Sequence, residues 1–253
     1  MNWNNITIHQ LQEIHSCRDM SDLERQMNIL AIALNLSMDD VESMTLDKLT
    51  TEFAKLSFLN DLPKAPIQFM FKLRGRYFRL AKTPNEMCGH HFIELQQVFN
   101  GDVIESLHKI VALLSVEMDF FGRSKKVVDA QAHYEDKCAL MMHLPVPLPY
   151  TYALFFFGSL SRIIEKYPLL FDNGDEGLDT PTDKSPIVWL EIVDKIVKGD
   201  RTKWDFILMM PLIEFLNAMA FYKAKTKERQ KRLEDAAGKG FNPYIVACLN
   251  EMI

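Results

Sequence analysis

The densest grouping of metal-capable side chains in the chain is Cys88, His90 and His91. Zinc takes cysteine thiolates and imidazoles, usually as two spaced pairs that supply four ligands. Cys88 and His91 stand three residues apart and would share one face of a helix. No second pair answers them, because His133, Cys138 and His143 are irregularly spaced. The spacing therefore predicts an ordinary helix surface and no metal ligands. A second grouping is acidic: Asp172, Asp175, Glu176, Asp179 and Asp183 within FDNGDEGLDTPTD. A calcium loop needs oxygen ligands at alternating positions and a closing bidentate glutamate. That order is missing, so a solvated loop is expected. The chain carries no GxSxG, HExxH, Walker A or GxGxxG pattern. Glu191 and Asp194 sit among apolar neighbours, as ordinary surface carboxylates of a helix do. No residue is assigned to catalysis, to a cofactor or to a metal, and the expectation is a non-enzymatic protein.

The grouping with the strongest claim to a binding role is basic: Lys223, Lys225, Lys227, Arg229, Lys231 and Arg232. On a helix these residues cover more than one face, with Glu228 interrupting them. Three readings are open. The first is a solvated helix end whose cations suit the C-terminal dipole. The second is a stripe that contacts nucleic-acid phosphates. The third is a patch that docks on an acidic protein surface. The whole chain has a net charge of −5, with 29 Lys and Arg against 34 Asp and Glu. That balance argues against nucleic acid as the partner.

Composition bounds the rest. The chain has 253 residues, 48% of them hydrophobic and 25% charged, which is the make-up of a folded chain with a real core. Only 10 glycines are present. A glycine-poor chain has few sites for close backbone approach to phosphates, which favours a helical protein over a nucleotide-binding α/β enzyme. The 14 Met and 17 Phe are in excess. Methionine adapts to irregular surfaces and recurs at interfaces. Phe155, Phe156 and Phe157 point in three directions from one helix, so that helix must be enclosed on several sides.

Four cysteines, Cys17, Cys88, Cys138 and Cys248, are scattered and form no CxxC pair, which fits free thiols in a reducing compartment. The N-terminal MNWNNITIHQ lacks the basic and apolar regions of a signal peptide. From Cys138 to Ser161 no charged residue occurs, yet Pro145, Pro147 and Pro149 interrupt the run. A helix starting near Pro149, after an extended Pro-x-Pro-x-Pro segment, is too short to span a bilayer by Arg162. No membrane association is expected.

The elements that would position these groups are mostly helical. Thr7 and the Ile8–Leu11–Ile14 spacing begin a first helix. Ser21 and Glu24 have capping-box spacing ahead of a second, with Leu23, Met27, Leu30, Ala31 and Leu34 as its buried stripe. Ser37 with Asp40, and Thr45, start two short ones. The Leu62–Pro66 stretch reads as a linker. Around Arg74-Gly75 the period changes to that of a β-hairpin, near residues 67–80. Helices are predicted again from Thr83-Pro84 through Phe92, Leu95 and Phe99, then over GDVIESLHKIVALLSVEM and KKVVDAQAHYEDKCALMMHL. Later ones start at Ser185-Pro186, ending at Gly199, and at Arg201 and Pro211, with a final short one over NPYIVACLNEMI. The expected fold is a multi-helix array with one small hairpin. The expected organisation is an N-terminal helical region (1–61), a hairpin-plus-helix region (62–170), an exposed acidic loop (171–186) and a C-terminal helical region (187–253). These form one or two compact domains.

Two stretches carry a family resemblance. From Thr7 to Phe99 the run ITIHQLQEIHSC, LERQMNILAIALNLSMDDVESMTLDKL and FKLRGRYFRLAKTPNEMCGHHFIELQQVF resembles tail-assembly-chaperone-type proteins of tailed phages, especially those of gut Bacteroidota. VWLEIVDKIVKGDRTKWDFILMMPLIEFLNAMAFYKAKTK, over residues 187–227, is similar to their C-terminal extensions. After the hairpin, Met87-Cys88-Gly89-His90-His91-Phe92 departs from the family's pattern. The resemblance implies a role in building the virion or forming part of it, with tail, neck or scaffold proteins as partners. It implies either the host cytoplasm during assembly or the particle itself as the location. A homo-oligomer is compatible with it. The rival expectations are a nucleic-acid-associated factor using the basic helix, and an enzyme whose site forms only in the tertiary structure.

Overall fold

Thr7 accepts a hydrogen bond from the Gln10 amide while the Gln10 side chain returns one from the Thr7 amide, and this capping box opens α1 (Ile8–Ser16). Ser37 and Asp40 close an equivalent box at α3 (Met38–Glu42). Between them lies α2 (Asp22–Leu34), and α4 (Leu46–Ala54) follows. The structure, a computed structural model, describes residues 1–99, 101–119, 121–124, 130–171 and 186–238. The expected acidic loop and the expected final helix over NPYIVACLNEMI lie outside the described residues.

The remaining elements are β1 (Met70–Leu73), β2 (Arg76–Leu80), α5 (Gly89–Phe99), α6 (Val103–Leu113), β3 (Ser115–Met118), α7 (Ala130–Met141) and α8 (Pro147–Ile164). After them come α9 (Pro168–Phe171), α10 (Pro186–Ile196), α11 (Trp204–Leu208) and α12 (Leu212–Gly238). The fold is mostly α with a small antiparallel sheet in the order β1-β2-β3. Among the described residues no helix is long and apolar enough to cross a membrane.

The chain forms two compact units. One comprises Met1–Met87 and Gln97–Leu160, and the other comprises Cys88–Gln96 and the described residues from Ser161 onward. In the first unit Ile6, Leu30, Ala31, Ala33, Val41, Leu56 and Val146 form a buried core. The strand-like segments ahead of α1 and α8 pair here, with Ile8 N–H donating to Leu144 O (2.9 Å) and Val146 N–H to Ile6 O (2.9 Å). In the second unit the rings of Phe92, Phe171, Trp189 and Phe215 pack edge-on and tilted at centroid distances of 5.3–6.4 Å. Gly89 lies directly against this cluster. A Cβ built there would come 2.4 Å from Phe215 Cδ2, so the close approach requires glycine.

Five local expectations are corrected. The helix predicted through Met118 stops at Leu113, because Ser115–Met118 pairs with β2 and ladder bonds replace helical ones. The helix predicted to start at Thr83 is a single 3-10 turn (Pro84–Glu86), and α5 begins at Gly89. Pro147 and Pro149 lie inside the first turn of α8, not before it. The first-turn amides lack intrahelical acceptors anyway, so the missing N–H groups cost nothing there. Ser21 gives no side-chain cap to α2; its hydroxyl instead donates to Glu24 at 3.4 Å. Leu23, placed in the buried stripe by periodicity, is 70% exposed.

Candidate interaction surface

The β-sheet carries its side chains on two unlike faces, and strand register decides which residues share a face. Phe71 pairs with Phe78 and Phe78 with Glu117, while Leu80 pairs with Ser115. Alternation therefore places Phe71, Leu73, Arg76, Phe78, Leu80, Ser115 and Glu117 on the inner face. The other face presents two cross-strand rows, Met70–Arg79–Val116 and Lys72–Tyr77–Met118.

The inner face contains a buried polar cluster. Glu117 is 5% exposed and receives a hydrogen bond from Arg76 Nη2; Arg76 Nη1 donates to Asp136 at 2.5 Å. His133 Nε2 is 4.0 Å from Glu117. Lys137 is buried, and its ammonium donates to Ser115 O at 2.8 Å. His133, Asp136 and Lys137 follow the i, i+3, i+4 spacing, so one face of α7 meets the sheet through polar side chains. Burial pushes the Lys137 amine down to about 8, and the nearby Cys138 and Glu117 offset part of that. The two carboxylate partners hold Arg76 firmly in its charged form, Glu117 most strongly. A lysine with a lowered pKa is also a nucleophile in suitable sites. Here its amine is turned to a backbone carbonyl inside the cluster, where it ties α7 to β3.

This burial inverts the usual pattern of a strand. In β3 the polar Ser115 and Glu117 turn inward, and the apolar Val116 and Met118 turn outward. The outer face therefore exposes apolar area: Met70 is 60% exposed, Tyr77 42% and Val116 39%. Lys72 lies 5.0 Å from the Tyr77 ring centroid and covers it with a cation. Arg79 pairs with Glu86 at 3.1 Å. The result is an apolar surface studded with positive charge. Exposed apolar patches with polar surroundings mark binding surfaces.

A second polar cluster joins α1 to the start of α6. Asp102 caps α6 by accepting from the Ile104 amide (2.8 Å), and it also binds His15 Nε2 (2.6 Å) and Arg18 (3.0 Å). Gln12 donates to Ile104 O and Glu105 O at 3.0 and 2.7 Å. A histidine–aspartate pair supplies two of the three members of a hydrolytic triad. The neighbouring Ser16 and Cys17 groups both donate to Glu13 O, however, and the cluster reads as a clamp between helices. Desolvation pushes the Asp102 carboxyl up, but the hydrogen bonds from His15, Ile104 and Arg18 outweigh it and hold the group at about 2. An unfolded aspartate titrates near 3.9. The clamp's stabilisation is therefore complete above about pH 4 and is lost as pH falls through about 2. Asp102→Asn should flatten the acid limb of a stability–pH curve in that window, measured by urea unfolding at a series of pH values. An unchanged slope would show that the pairing does not carry the acid sensitivity.

The sequence-derived sites resolve as follows. Cys88 precedes α5, bridges Pro211 and is buried. His90 pairs with Glu94 at 3.1 Å, and that carboxylate raises the imidazole's pKa. Among the described residues no three or more His, Cys, Asp or Glu side chains are grouped so that they could hold a metal ion. Cys17, Cys88 and Cys138, among the described residues, form no disulfide with one another. Lys223, Lys225, Lys227, Arg229, Lys231 and Arg232 all lie on α12. At about 100° per residue, Lys223, Lys227 and Lys231 form one ridge, and Lys225, Arg229 and Arg232 form another on the opposite side. Arg232 pairs with Glu228 at 2.5 Å. Six cations close in sequence are thus divided between two faces. The sheet's outer face escaped sequence reasoning because β3 was hidden in a helical period. The alternation of Ser115, Val116, Glu117 and Met118 was its only signal.

No family model matches the chain, and comparison with curated proteins and with solved structures finds no match.

Proposed function

We propose that the chain is a non-enzymatic, protein-binding component of virion assembly or structure in a tailed phage, acting on tail, neck or scaffold proteins. The observation that carries the binding role is the outer face of the β1–β3 sheet, where Met70, Tyr77 and Val116 are exposed beside Lys72 and Arg79. Apolar area supplies the driving force for association, and the cations orient the partner and speed encounter. The assignment to phage assembly rests on the resemblance over residues 7–99 and 187–227. In this reading the basic residues of α12 add long-range steering and no base recognition. The protein would work in the host cytoplasm during assembly or remain in the particle.

The test is co-expression of the tagged chain with the tail, neck and scaffold proteins of a phage that encodes it. One of these should co-purify in stoichiometric amount. Met70→Asp with Tyr77→Asp, which leaves the buried face intact, should abolish recovery. A folded chain that retains none of them would overturn the phage-assembly reading. Retention on DNA that weakens steeply with salt and is lost with Lys227→Glu and Lys231→Glu would favour the nucleic-acid alternative.

A further inference from the structure

Charge is segregated within the first unit. Residues 62–87 hold six Lys and Arg against the single carboxylate of Glu86. Arg76 turns inward, but Lys72 stands on the outer sheet face, and Arg74 and Lys82 are exposed at the hairpin turn and just after β2. Lys72, Arg74 and Lys82 make no ion pair among the described residues. Residues 37–54, which build α3 and α4, are the reverse: five carboxylates against Lys48 alone. Asp39, Glu42 and Asp47 are all exposed there. Beside them Leu46 is 79% exposed, an apolar side chain in an acidic surround. One region is apolar and basic, and the other is apolar and acidic. Each has what the other lacks.

We infer that the sheet's outer face docks onto the α3–α4 corner of a second copy of this chain, head to tail. The inference rests on the reading of the sheet face as a protein-binding surface and adds the partner. Leu46 would meet the apolar row of Met70, Tyr77 and Val116. Glu42 and Asp47 would meet Lys72 and Lys82. Because the two surfaces differ, the contact is heterologous: it leaves a free sheet face at one end and a free acidic corner at the other. Such a contact propagates into a ring or a filament, whereas an isologous contact stops at a dimer. Like charges also suppress sheet-to-sheet pairing, since two basic faces repel.

The test uses two full-length variants, each checked for wild-type circular dichroism. One breaks the sheet face (Lys72→Glu with Lys82→Glu), and the other breaks the corner (Glu42→Lys with Asp47→Lys). By sedimentation velocity the wild type should self-associate over the micromolar range and dissociate as salt rises. Each variant alone should associate at least about tenfold more weakly, the effect of placing like charges across a contact. Mixed together they should regain association, because the corner variant's intact sheet face meets the sheet variant's intact corner, and the reversed sheet face and the reversed corner are again of opposite charge. A corner variant that still dimerises alone would reveal a symmetric sheet-to-sheet contact and overturn the inference. So would a wild type that stays monomeric at every salt concentration. If that monomer still bound a tail protein through Met70 and Tyr77, the binding reading would stand and only the second copy would be lost as partner.

Discussion

Glu117→Ala is expected to destabilise the first unit by about 3 kcal/mol, the lower end of the range for removing one partner of a buried ion pair. The carboxylate is almost wholly buried; Arg76 binds it directly, and His133 Nε2 and the Lys137 amine lie near it. Without it Arg76 keeps Asp136 on its more exposed side, which limits the loss. Lys137 keeps its hydrogen bond to Ser115 O but loses one nearby negative charge in a buried site, so its pKa should fall further below about 8. Urea unfolding followed by far-ultraviolet circular dichroism measures the cost. The physical claim is that the penalty comes from a stranded charge and not from lost packing. Glu117→Leu combined with Arg76→Met should therefore recover much of the stability, since a buried pair replaced by apolar residues is often neutral. A double variant as unstable as Glu117→Ala would contradict that claim. The same substitution should weaken partner binding, because α7 holds the inner face of the sheet whose outer face is proposed to dock.

Phe215→Ala is expected to cost about 3–5 kcal/mol in the second unit, the range for deleting a buried ring. Phe215 is fully buried between Phe92 and Trp189, at 6.4 and 6.0 Å between ring centroids. Denaturation followed by tryptophan fluorescence should show the transition of Trp189 at lower denaturant. Gly89 provides the internal check. In the wild-type background Gly89→Ala drives its new methyl into the Phe215 ring and should cost about 1–3 kcal/mol. In the Phe215→Ala background the methyl enters vacated space, and the added cost should vanish. Two independent, additive losses would mean that the residues are not coupled.

Much of the helical skeleton was legible because its determinants are local. The Thr7 cap and the Ser37–Asp40 box depend on groups three residues apart, and the structure forms both, whereas the Ser21–Glu24 box does not form. The hairpin was legible from Arg74-Gly75, where both residues take positive φ, 46° and 84°. Gly199, with φ 77°, follows α10 as expected. The stripe of α2 was legible only in part. Leu30 and Ala31 are buried, but Leu23 is not, since periodicity records which residues share a face and not how far along the helix a neighbour reaches. Leu114 through Met118 were misread for a related reason: an alternation of only five residues, joined to an amphipathic helix, is too short to separate a helix end from a strand. The pairing with β2, more than thirty residues earlier, made the choice.

The sequence by itself determined a helical protein with one turn of β-structure and a basic run near its end, because capping, turn chemistry and period act over a few residues. It also held the full set of charges. Only the tertiary structure decided which of those charges are buried and which remain as a surface. Arg76, Glu117, Asp136 and Lys137 are dispersed along the chain, and strand register with one face of α7 brings them together. Their burial turns Val116 and Met118 outward and makes the sheet's other side apolar. The division of Lys223 to Arg232 between two helix faces, by contrast, was already legible, because it follows from the 3.6-residue turn alone.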